Sequence, residues 1–176
     1  MTHNTISSGI NFSFYFMMLF HEFLLRAARN DDIPYIREIV FSCLREYGLK
    51  PDPTGKDKDL KDIEKSYFPG NGFFGVAVEF NTNKMVGTFG LFPMDKNICE
   101  LRKIYLVKEV RGRGLGKYIL DTAIHMAKER GYKKIYLETI SPLKVAISLY
   151  KKYGFKEVTP KEINERADQA FELDIP

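Results

Sequence analysis

The alternation of hydrophobic and polar residues predicts a strand over residues 98–107, which is followed by a helix. A glycine-rich segment, residues 111–117, joins the two elements. Hydrophobic positions of the helix recur at three- and four-residue spacing; they are Leu115, Ile119, Leu120, Ala123 and Ala127. The clearest pattern in the chain is therefore a strand, a glycine-rich turn and a helix, in that order.

The remaining elements follow from the same two patterns. Alternation predicts further strands over residues 23–27, 72–80, 85–92, 133–139 and 170–175. Helical spacing predicts helices over residues 33–47, 60–66 and 141–153. The last helix has Ser141 as its N-cap, Pro142 in its first position and Gly154 as its stop residue. Three strands in hairpin order, then strand, helix, strand, helix and strand, predict an α+β fold with a mixed sheet.

The chain starts with an unusual apolar run, residues 10–25, which His21 and Glu22 interrupt. The run lacks the basic start and the small-residue cleavage site of a signal peptide, and it is too short to span a membrane. An extra strand, a contact with a partner, or a mis-assigned start upstream of Met17 or Met18 would each account for it. We expect residues 1–21 to be a non-catalytic extension and residues 22–176 to form one domain.

Composition and charge fit one domain without a disulfide framework. The chain has 176 residues and a formal net charge of +4, an excess too small to argue for nucleic acid. Cys43 and Cys99 stand alone, without the spacing of a metal site. We therefore expect a cytoplasmic protein that uses no metal and has no membrane segment.

The glycines between the strand and the helix are suited to holding a phosphate group. Glycine lets the backbone take positive φ, and the start of a helix offers N–H groups and the positive end of its dipole. Spacing excludes two common phosphate loops. A P-loop would need glycine in place of Arg111 and Ser or Thr in place of Tyr118, and a dinucleotide-binding fingerprint would need a glycine at Lys117.

The spacing that remains is Arg-x-x-Gly-x-Gly, at Arg111, Gly114 and Gly116, and it resembles the acetyl-CoA pyrophosphate loop of the GNAT superfamily of N-acyltransferases. Residues 146–155 are similar to the last helix and following strand of the same enzymes. The resemblance implies a mixed, mostly antiparallel sheet that is flanked by helices and has a V-shaped splay between two central parallel strands. It also implies an acetyl-CoA-dependent N-acetyltransferase.

The resemblance further implies where acetyl-CoA binds as the cosubstrate. The pantetheine arm would pair with the backbone around Ile104, Tyr105 and Leu106, and the N–H near Leu106 would face the thioester carbonyl. The side chains of Arg111, Arg113 and Lys117 would screen the charge of the pyrophosphate. The pyrophosphate itself would rest on the amides of the loop, which belong to Gly112, Arg113, Gly114, Leu115, Gly116 and Lys117.

Direct attack by the acceptor amine requires one group that accepts a proton and another that supplies one. Tyr150 falls where the family's helix carries a tyrosine that reaches the sulfur of CoA, so it is the expected acid. Glu100 is the expected base, with Glu79 and Glu138 as alternatives. Simple alternation places Glu100 on one strand face together with Arg102, Ile104 and Leu106.

The expected acceptor is a small-molecule or peptide amine, without nucleic acid or a membrane as a partner; a homodimer contact through the N-terminal extension stays open. In this family the first two helices and their connecting loop shape the acceptor pocket. Here that loop, residues 49–58, is charged and expected to be mobile. Two alternative functions also stay open: a CoA-binding sensor without catalysis, and an RNA-binding domain that uses the basic, tyrosine-rich residues 102–118 and 144–153.

Overall fold

A computed structural model describes residues 17–160 and 163–176. Within these residues, eight strands form one sheet. In chain order they are β1 (Met17–Phe20), β2 (Phe23–Ala27), β3 (Phe73–Glu79), β4 (Met85–Pro93), β5 (Ile98–Leu106), β6 (Lys134–Thr139), β7 (Lys156–Val158) and β8 (Gln169–Asp174). Their order across the sheet is β1-β2-β3-β4-β5-β6-β8-β7, so the last strand of the chain inserts between β6 and β7.

The sheet opens between β5 and β6, which are parallel neighbours. The two strands pair over three residues each, ending where Glu100 lies opposite Tyr136. Beyond this point β5 continues to Leu106 and β6 to Thr139 without further pairing between them. The other strand pairs of the described sheet are antiparallel. The predicted mixed sheet with a splay between two central parallel strands is therefore confirmed.

Helices cover both faces of the sheet; they are α1 (Ile33–Glu46), α2 (Ile63–Tyr67), α3 (Leu115–Glu129) and α4 (Lys144–Lys152). Ile119 of α3 and Tyr150 of α4 belong to a hydrophobic cluster that includes Ala77 of β3. Ile36 of α1 belongs to a second cluster, which includes the adjacent strand residue Val76 and so lies on the opposite face. The α+β class is confirmed. No helix in the described part of the chain is long and apolar enough to span a membrane.

The N-terminal apolar run contributes the edge strand of the sheet. β1 pairs antiparallel with β2 across a turn at His21 and Glu22. Phe20, the last residue of β1, stacks on Tyr118 of α3 with ring centroids 4.4 Å apart. For residues 17–20 the interpretation as an extra strand is confirmed, and this hairpin lies against the start of α3. Residues 10–16 lie outside the described part of the chain.

A β-bulge interrupts β5 next to the splay. Tyr105 lies opposite Thr88, and Arg102 lies opposite Gly90, so β5 has one residue more than β4 over this stretch. Lys103 lies in the bulge and has a φ of 59°. A positive φ is uncommon for a residue with a side chain, so contacts elsewhere must hold the backbone in this conformation.

The bulge changes which side chains of β5 share a face. Leu101 belongs to the cluster under α3, so its neighbour Glu100 points to the opposite face. Beyond the bulge, Ile104 and Leu106 pack against the same cluster as Leu101, whereas Tyr105 packs against the cluster under α1. The prediction that Glu100 shares a face with Ile104 and Leu106 is therefore wrong, because the extra residue shifts the alternation by one position.

The last helix begins later than the sequence pattern predicts. α4 starts at Lys144. Ser141 instead contacts the loop before β8, since its backbone N–H and its hydroxyl both donate to the carboxylate of Asp168, each at 2.7 Å. The predictions of Ser141 as N-cap and Pro142 as the first helical residue are wrong, because this tertiary contact keeps Ser141 outside the helix. Gly154 does follow the end of the helix, with a φ of 87°.

Candidate active site

The gap between β5 and β6 opens into a cleft with a volume of about 160 Å³. Its walls come from β5, from the end of β6, from α1 and from α4. Glu100 lies in the cleft at the point where the pairing of the two strands ends. Tyr150 and Glu138 line the same cleft. The splay therefore brings the expected acid and the expected base to one opening.

The glycine-rich turn gives α3 an open amino-terminal end. Gly112 and Gly114 have φ angles of 77° and 84°, which residues with a side chain rarely adopt. The N–H of Tyr118 donates to the carbonyl of Gly114 at 3.0 Å, so the amides of residues 115–117 precede the first bond of the helix. A Cβ at Gly112 would have no atom within 4 Å. The turn thus leaves open space beside Gly112, next to these amides and the positive end of the helix dipole, whereas Phe20 of the N-terminal hairpin would lie 3.5 Å from a Cβ at Gly114.

Gly116 allows α3 to pack closely against the end of β5, because a Cβ there would lie 3.4 Å from Cδ1 of Leu106. On the other edge of β5, the N–H of Val107 donates to the carbonyl of Val86 at 3.0 Å. Leu106 precedes Val107 and lies opposite Gly87, so it occupies a non-hydrogen-bonded position of the β4–β5 ladder. Its backbone N–H and C=O therefore point away from β4 and toward the gap.

The side chain of Arg111 connects the glycine-rich turn to α1 and to the end of β5. Its Nη1 and Nη2 donate to the two carboxylate oxygens of Glu46, at 2.7 and 2.8 Å. Its Nε donates to the carbonyl of Leu106 at 2.9 Å. The hydrogen bonds from Arg111 hold the pKa of Glu46 below its ordinary value. The guanidinium of Arg111 is thus engaged by the protein at all three of its nitrogens.

The other two cations of the loop also have protein partners. Arg113 forms an ion pair with Glu22 of the N-terminal hairpin, and its guanidinium carbon lies 4.9 Å from the centre of the Phe23 ring. Lys117 pairs with Asp121 at 2.9 Å, one turn further along α3. The main-chain amides are therefore the best-placed groups of the loop for holding an anion, and the cations add longer-range attraction.

A comparison with protein families agrees with this fold and this loop. The family model for the acetyltransferase (GNAT) family matches residues 34–155, a range that includes α1 except its first residue, the cleft-forming strands and α4. The chain belongs to the GNAT acetyltransferase family. The resemblance based on Arg111, Gly114 and Gly116 is thereby confirmed.

Relatives of this GNAT protein carry acetyltransferase names. The uncharacterized N-acetyltransferase YjgM of Escherichia coli is 35% identical over 141 residues, which are 77% of this chain and 83% of that protein. A solved GNAT acetyltransferase of Staphylococcus aureus matches with a TM-score of 0.79 at 27% identity, over 86% of this chain and 98% of that one. The structure of yncA from Salmonella typhimurium with its cofactor acetyl-CoA has a TM-score of 0.69 at 16% identity, over 88% of this chain and 94% of that one. The expected enzyme class, an N-acetyltransferase, is confirmed.

Tyr150 of this GNAT enzyme packs in the cluster between α4 and the sheet. The centre of its ring lies 5.7 Å from that of Phe155 and 6.5 Å from that of Phe171. Only 9% of the residue is exposed, and burial raises the pKa of its phenol to about 12. The hydroxyl is therefore protonated throughout the neutral range, which is the state that a proton donor needs.

Glu100 is mostly buried among charges of both signs. Burial raises the pKa of its carboxyl group above the ordinary value, and repulsion from Glu138 adds to the rise. Arg102 opposes the rise, with its Nη1 3.5 Å from Oε2 of Glu100. A carboxylate with a raised pKa accepts an amine proton more readily at neutral pH than an exposed glutamate does.

The two alternative bases have different surroundings. Glu138 also lines the cleft, but its carboxylate accepts hydrogen bonds from the hydroxyl of Tyr136 at 2.7 Å and from the backbone N–H of Asn164 at 3.2 Å. Glu79 accepts a hydrogen bond from the hydroxyl of Thr82 at 2.6 Å, in the β3–β4 turn and outside the cleft lining. The geometry thus favours Glu100, followed by Glu138.

A buried ion cluster beside the cleft was not anticipated from the sequence. Asp57 has a fully buried side chain, and its carboxylate accepts from Nζ of Lys103 at 2.6 Å. The two terminal nitrogens of Arg166 donate to the same carboxylate at 3.2 and 3.0 Å. Although burial opposes it, hydrogen bonds from Arg166 and Lys103 hold the pKa of Asp57 below its ordinary value. One sequence feature could have indicated this cluster: a mainly apolar strand carries two adjacent cations, Arg102 and Lys103.

The loop that carries Asp57 is closed by its own hydrogen bonds. The N–H groups of Gly55 and Lys56 donate to the carboxylate of Asp52, at 2.9 and 3.0 Å. The N–H of Asp52 donates to the carboxylate of Asp57, and the N–H of Asp57 donates back to the carbonyl of Asp52, both at 2.9 Å. The charged composition predicted a mobile loop, but these contacts order residues 52–57.

Cys43 and Cys99 are free, buried thiols. Burial raises the pKa of Cys99 to about 12, so its thiol stays protonated. Sγ of Cys43 lies 3.5 Å from the carbonyl oxygen of Leu106 and 3.6 Å from Nη2 of Arg111, so this thiol packs behind the end of β5. Across residues 17–160 and 163–176, no group of three or more His, Cys, Asp or Glu residues is arranged to hold a metal ion.

Proposed function

We propose that this GNAT enzyme transfers an acetyl group from acetyl-CoA to the primary amine of a small-molecule or peptide acceptor, by direct attack of the amine. The observation that carries the proposal is the cleft between β5 and β6, where Glu100 and Tyr150 lie in one opening. The gap-facing backbone of Leu106 and the amides at the start of α3 belong to the same end of β5. One region thus offers a proton acceptor, a proton donor, an amide donor and a cradle for phosphate.

The residues of this chain fit acetyl-CoA at two places. The amides of residues 115–117 and the open space beside Gly112 suit the pyrophosphate. The edge of β5 beyond Glu100 has no strand partner on the side of β6, so the backbone from Ile104 to Leu106 is available to pair with the pantetheine arm. When bound, acetyl-CoA supplies the acetyl group in activated form, as a thioester.

The N–H of Leu106 is the proposed donor to the thioester oxygen, where negative charge develops during the attack. A preorganised donor of this kind typically contributes about 3 kcal/mol. Arg111 binds the carbonyl of Leu106 at 2.9 Å and thereby fixes the orientation of the backbone at this position. Arg111 is thus a positioning residue in this proposal, in addition to its contribution to the charge near the pyrophosphate.

Glu100 takes up the proton of the amine, and Tyr150 assists the departure of the thiolate with a hydrogen bond. The acceptor amine is protonated in water at neutral pH, and Glu100 accepts its proton directly or through a water molecule. The hydroxyl of Tyr150 donates a hydrogen bond to the sulfur as the carbon–sulfur bond breaks. The raised pKa of Glu100 makes its carboxylate a better acceptor for the amine proton. The pKa of about 12 keeps the hydroxyl of Tyr150 protonated at neutral pH.

Amine-dependent release of CoA from acetyl-CoA tests this function. The purified chain is mixed with acetyl-CoA and a panel of primary amines, and the free thiol is followed with a chromogenic thiol reagent. We expect release only when an accepted amine is present, together with the acetylated amine in the mass spectrum. Reactions without amine report background hydrolysis. Failure of acetyl-CoA to bind in calorimetry, together with no release across the panel, would refute the proposal.

A further inference from the structure

We propose that Asp57 is a positioning residue for acetyl transfer, which acts through Lys103 to hold the β5 bulge that turns the N–H of Leu106 into the cleft. This inference rests on the proposed function, because the role of the Leu106 amide belongs to that function. Asp57 itself does not touch the reacting atoms in this scheme. Its effect reaches them through the backbone of β5.

The register of β5 shows what the bulge does to Leu106. In the first half of the strand, the N–H of Met94 donates to the carbonyl of Ile98 at 3.0 Å, and the register continues to the pair of Gly90 with Arg102. Without an extra residue, the same register would place Leu106 opposite Val86 as a hydrogen-bonded pair. The bulge instead places Leu106 opposite Gly87, where its N–H points toward the gap.

The bulge needs support because of the conformation of Lys103. Its φ of 59° is in the left-handed region, which residues with a side chain adopt rarely. Two short contacts hold it there, and two longer ones add to them, from Nζ to Oδ1 of Asp59 at 3.6 Å and to the carbonyl of Lys56 at 3.5 Å. The carboxylate of Asp57 binds Nζ of Lys103 at 2.6 Å, and the hydroxyl of the fully buried Thr88 donates to the carbonyl of Lys103 at 2.7 Å. The first contact holds the side chain of Lys103, and the second holds its backbone.

Asp57 also connects the bulge to two loops around the cleft. It closes the ordered loop of residues 52–57 by accepting from the N–H of Asp52. It binds both terminal nitrogens of Arg166, which precedes β8 and lines the cleft. Because Asp57 is buried and all these contacts converge on one carboxylate, the bulge and the two loops are held as a single unit.

The experiment compares one substitution in two backgrounds. Asp57→Asn should lower kcat/KM for acetyl transfer about 100-fold, a loss typical of a displacement of about 1 Å in the attack geometry. Glycine takes a positive φ without steric cost, so a bulge that carries Lys103→Gly needs no ion pair to hold it. In the Lys103→Gly background, Asp57→Asn should therefore cost less than about fivefold. An equal loss in both backgrounds would overturn the proposal.

Two controls separate positioning from loss of the fold. Glu165→Gln removes an ion pair with Lys56 between the same two loops, but it does not touch the bulge, and its kcat/KM should equal that of the wild type. The Kd for the nucleotide part of CoA alone, adenosine 3′-phosphate 5′-diphosphate, should stay unchanged in Asp57→Asn, because the glycine-rich turn is not part of the cluster. If Asp57→Asn does not fold, Thr88→Val removes the other support of Lys103 and should show the same dependence on the background.

Amide hydrogen exchange at Leu106 provides a readout that does not need turnover. If Asp57→Asn removes the bulge, the Leu106 amide pairs with β4 and should exchange about tenfold more slowly than in the wild type. Unchanged exchange at Leu106 would refute the role of Asp57, whatever the activity. Absence of acetyl transfer in the wild type would instead refute the proposed function, so the two failures are distinguishable.

Discussion

Replacing Tyr150 by phenylalanine is the most direct test of the proposed chemistry, because it removes one hydroxyl and leaves the packing of α4 in place. The ring contacts with Phe155 and Phe171 do not involve the hydroxyl. We therefore expect Tyr150→Phe to fold and to bind acetyl-CoA as the wild type does. A change in turnover can then be assigned to the lost hydroxyl.

The pKa of the phenol determines the size of the expected effect. Its value of about 12 lies above that of an ordinary thiol, about 8.5, so complete proton transfer to a free thiolate would be uphill by about 5 kcal/mol. The hydroxyl therefore acts by donating a hydrogen bond to the sulfur while the carbon–sulfur bond breaks. Hydrogen bonds to charged groups contribute about 1.5–3 kcal/mol. The kcat of Tyr150→Phe should accordingly fall about 10- to 150-fold.

The assay measures CoA release at saturating substrates, together with the Kd for acetyl-CoA by calorimetry. Tyr132→Phe is a matched control, since Tyr132 is 2% exposed and its hydroxyl donates to the carbonyl of Asn71 at 3.2 Å, outside the cleft lining. The control should retain the wild-type kcat. The smallest expected loss of kcat is about tenfold. A kcat of Tyr150→Phe within about twofold of the wild type would therefore refute a role of Tyr150 in the reaction.

Three further changes test the other parts of the site. Glu100→Gln should remove the acidic limb of the kcat/KM profile, which in the wild type rises as the pH passes the raised pKa of Glu100; a variant that keeps this limb would exclude Glu100 as the base. Gly114→Glu should abolish acetyl-CoA binding in calorimetry, because its φ of 84° strains any side chain and the carboxylate repels the pyrophosphate. Gly131→Glu, at a φ of 80° after α3, matches that strain and should still bind. Glu46→Gln should cost less than about 1 kcal/mol in thermal unfolding, since its pair with Arg111 is partly exposed, while lowering kcat, because Arg111 then holds the backbone of Leu106 less firmly; an unchanged kcat would show that Arg111 does not orient Leu106.

Much of the fold could be predicted from local patterns. Local patterns involve only a few neighbouring residues each. Examples are the periodicity of α3, the alternation of the strands, and the turn positions at Gly114 and Gly154. The stop at Gly154 is an example, because a positive φ there follows from the needs of a helix end. Local rules failed at Ser141, where a favourable N-cap residue binds Asp168 instead.

Contacts between distant segments were beyond such patterns. Lys103 and Asp57 are 46 residues apart in the chain, and Arg166 and Asp57 are 109 residues apart. Nothing in the composition of the loop distinguishes Asp57 from the partly exposed Asp52 and Asp62 near it. Its burial arises only when β5 and the segment before β8 enclose it. The bulge at Lys103 depends on the same assembly, so the side-chain faces of β5 could not be assigned correctly from alternation.

The sequence alone determined the order of the elements and the glycine-rich turn that presents helix-start amides, because backbone preferences and periodicity act over a few residues. The tertiary structure decided which way Leu106 faces, which carboxylates are buried beside the cleft and which partners Arg111 and Arg113 take. Burial and ion pairing depend on segments that meet only in the folded chain, and a single extra residue in a strand reverses every side chain after it.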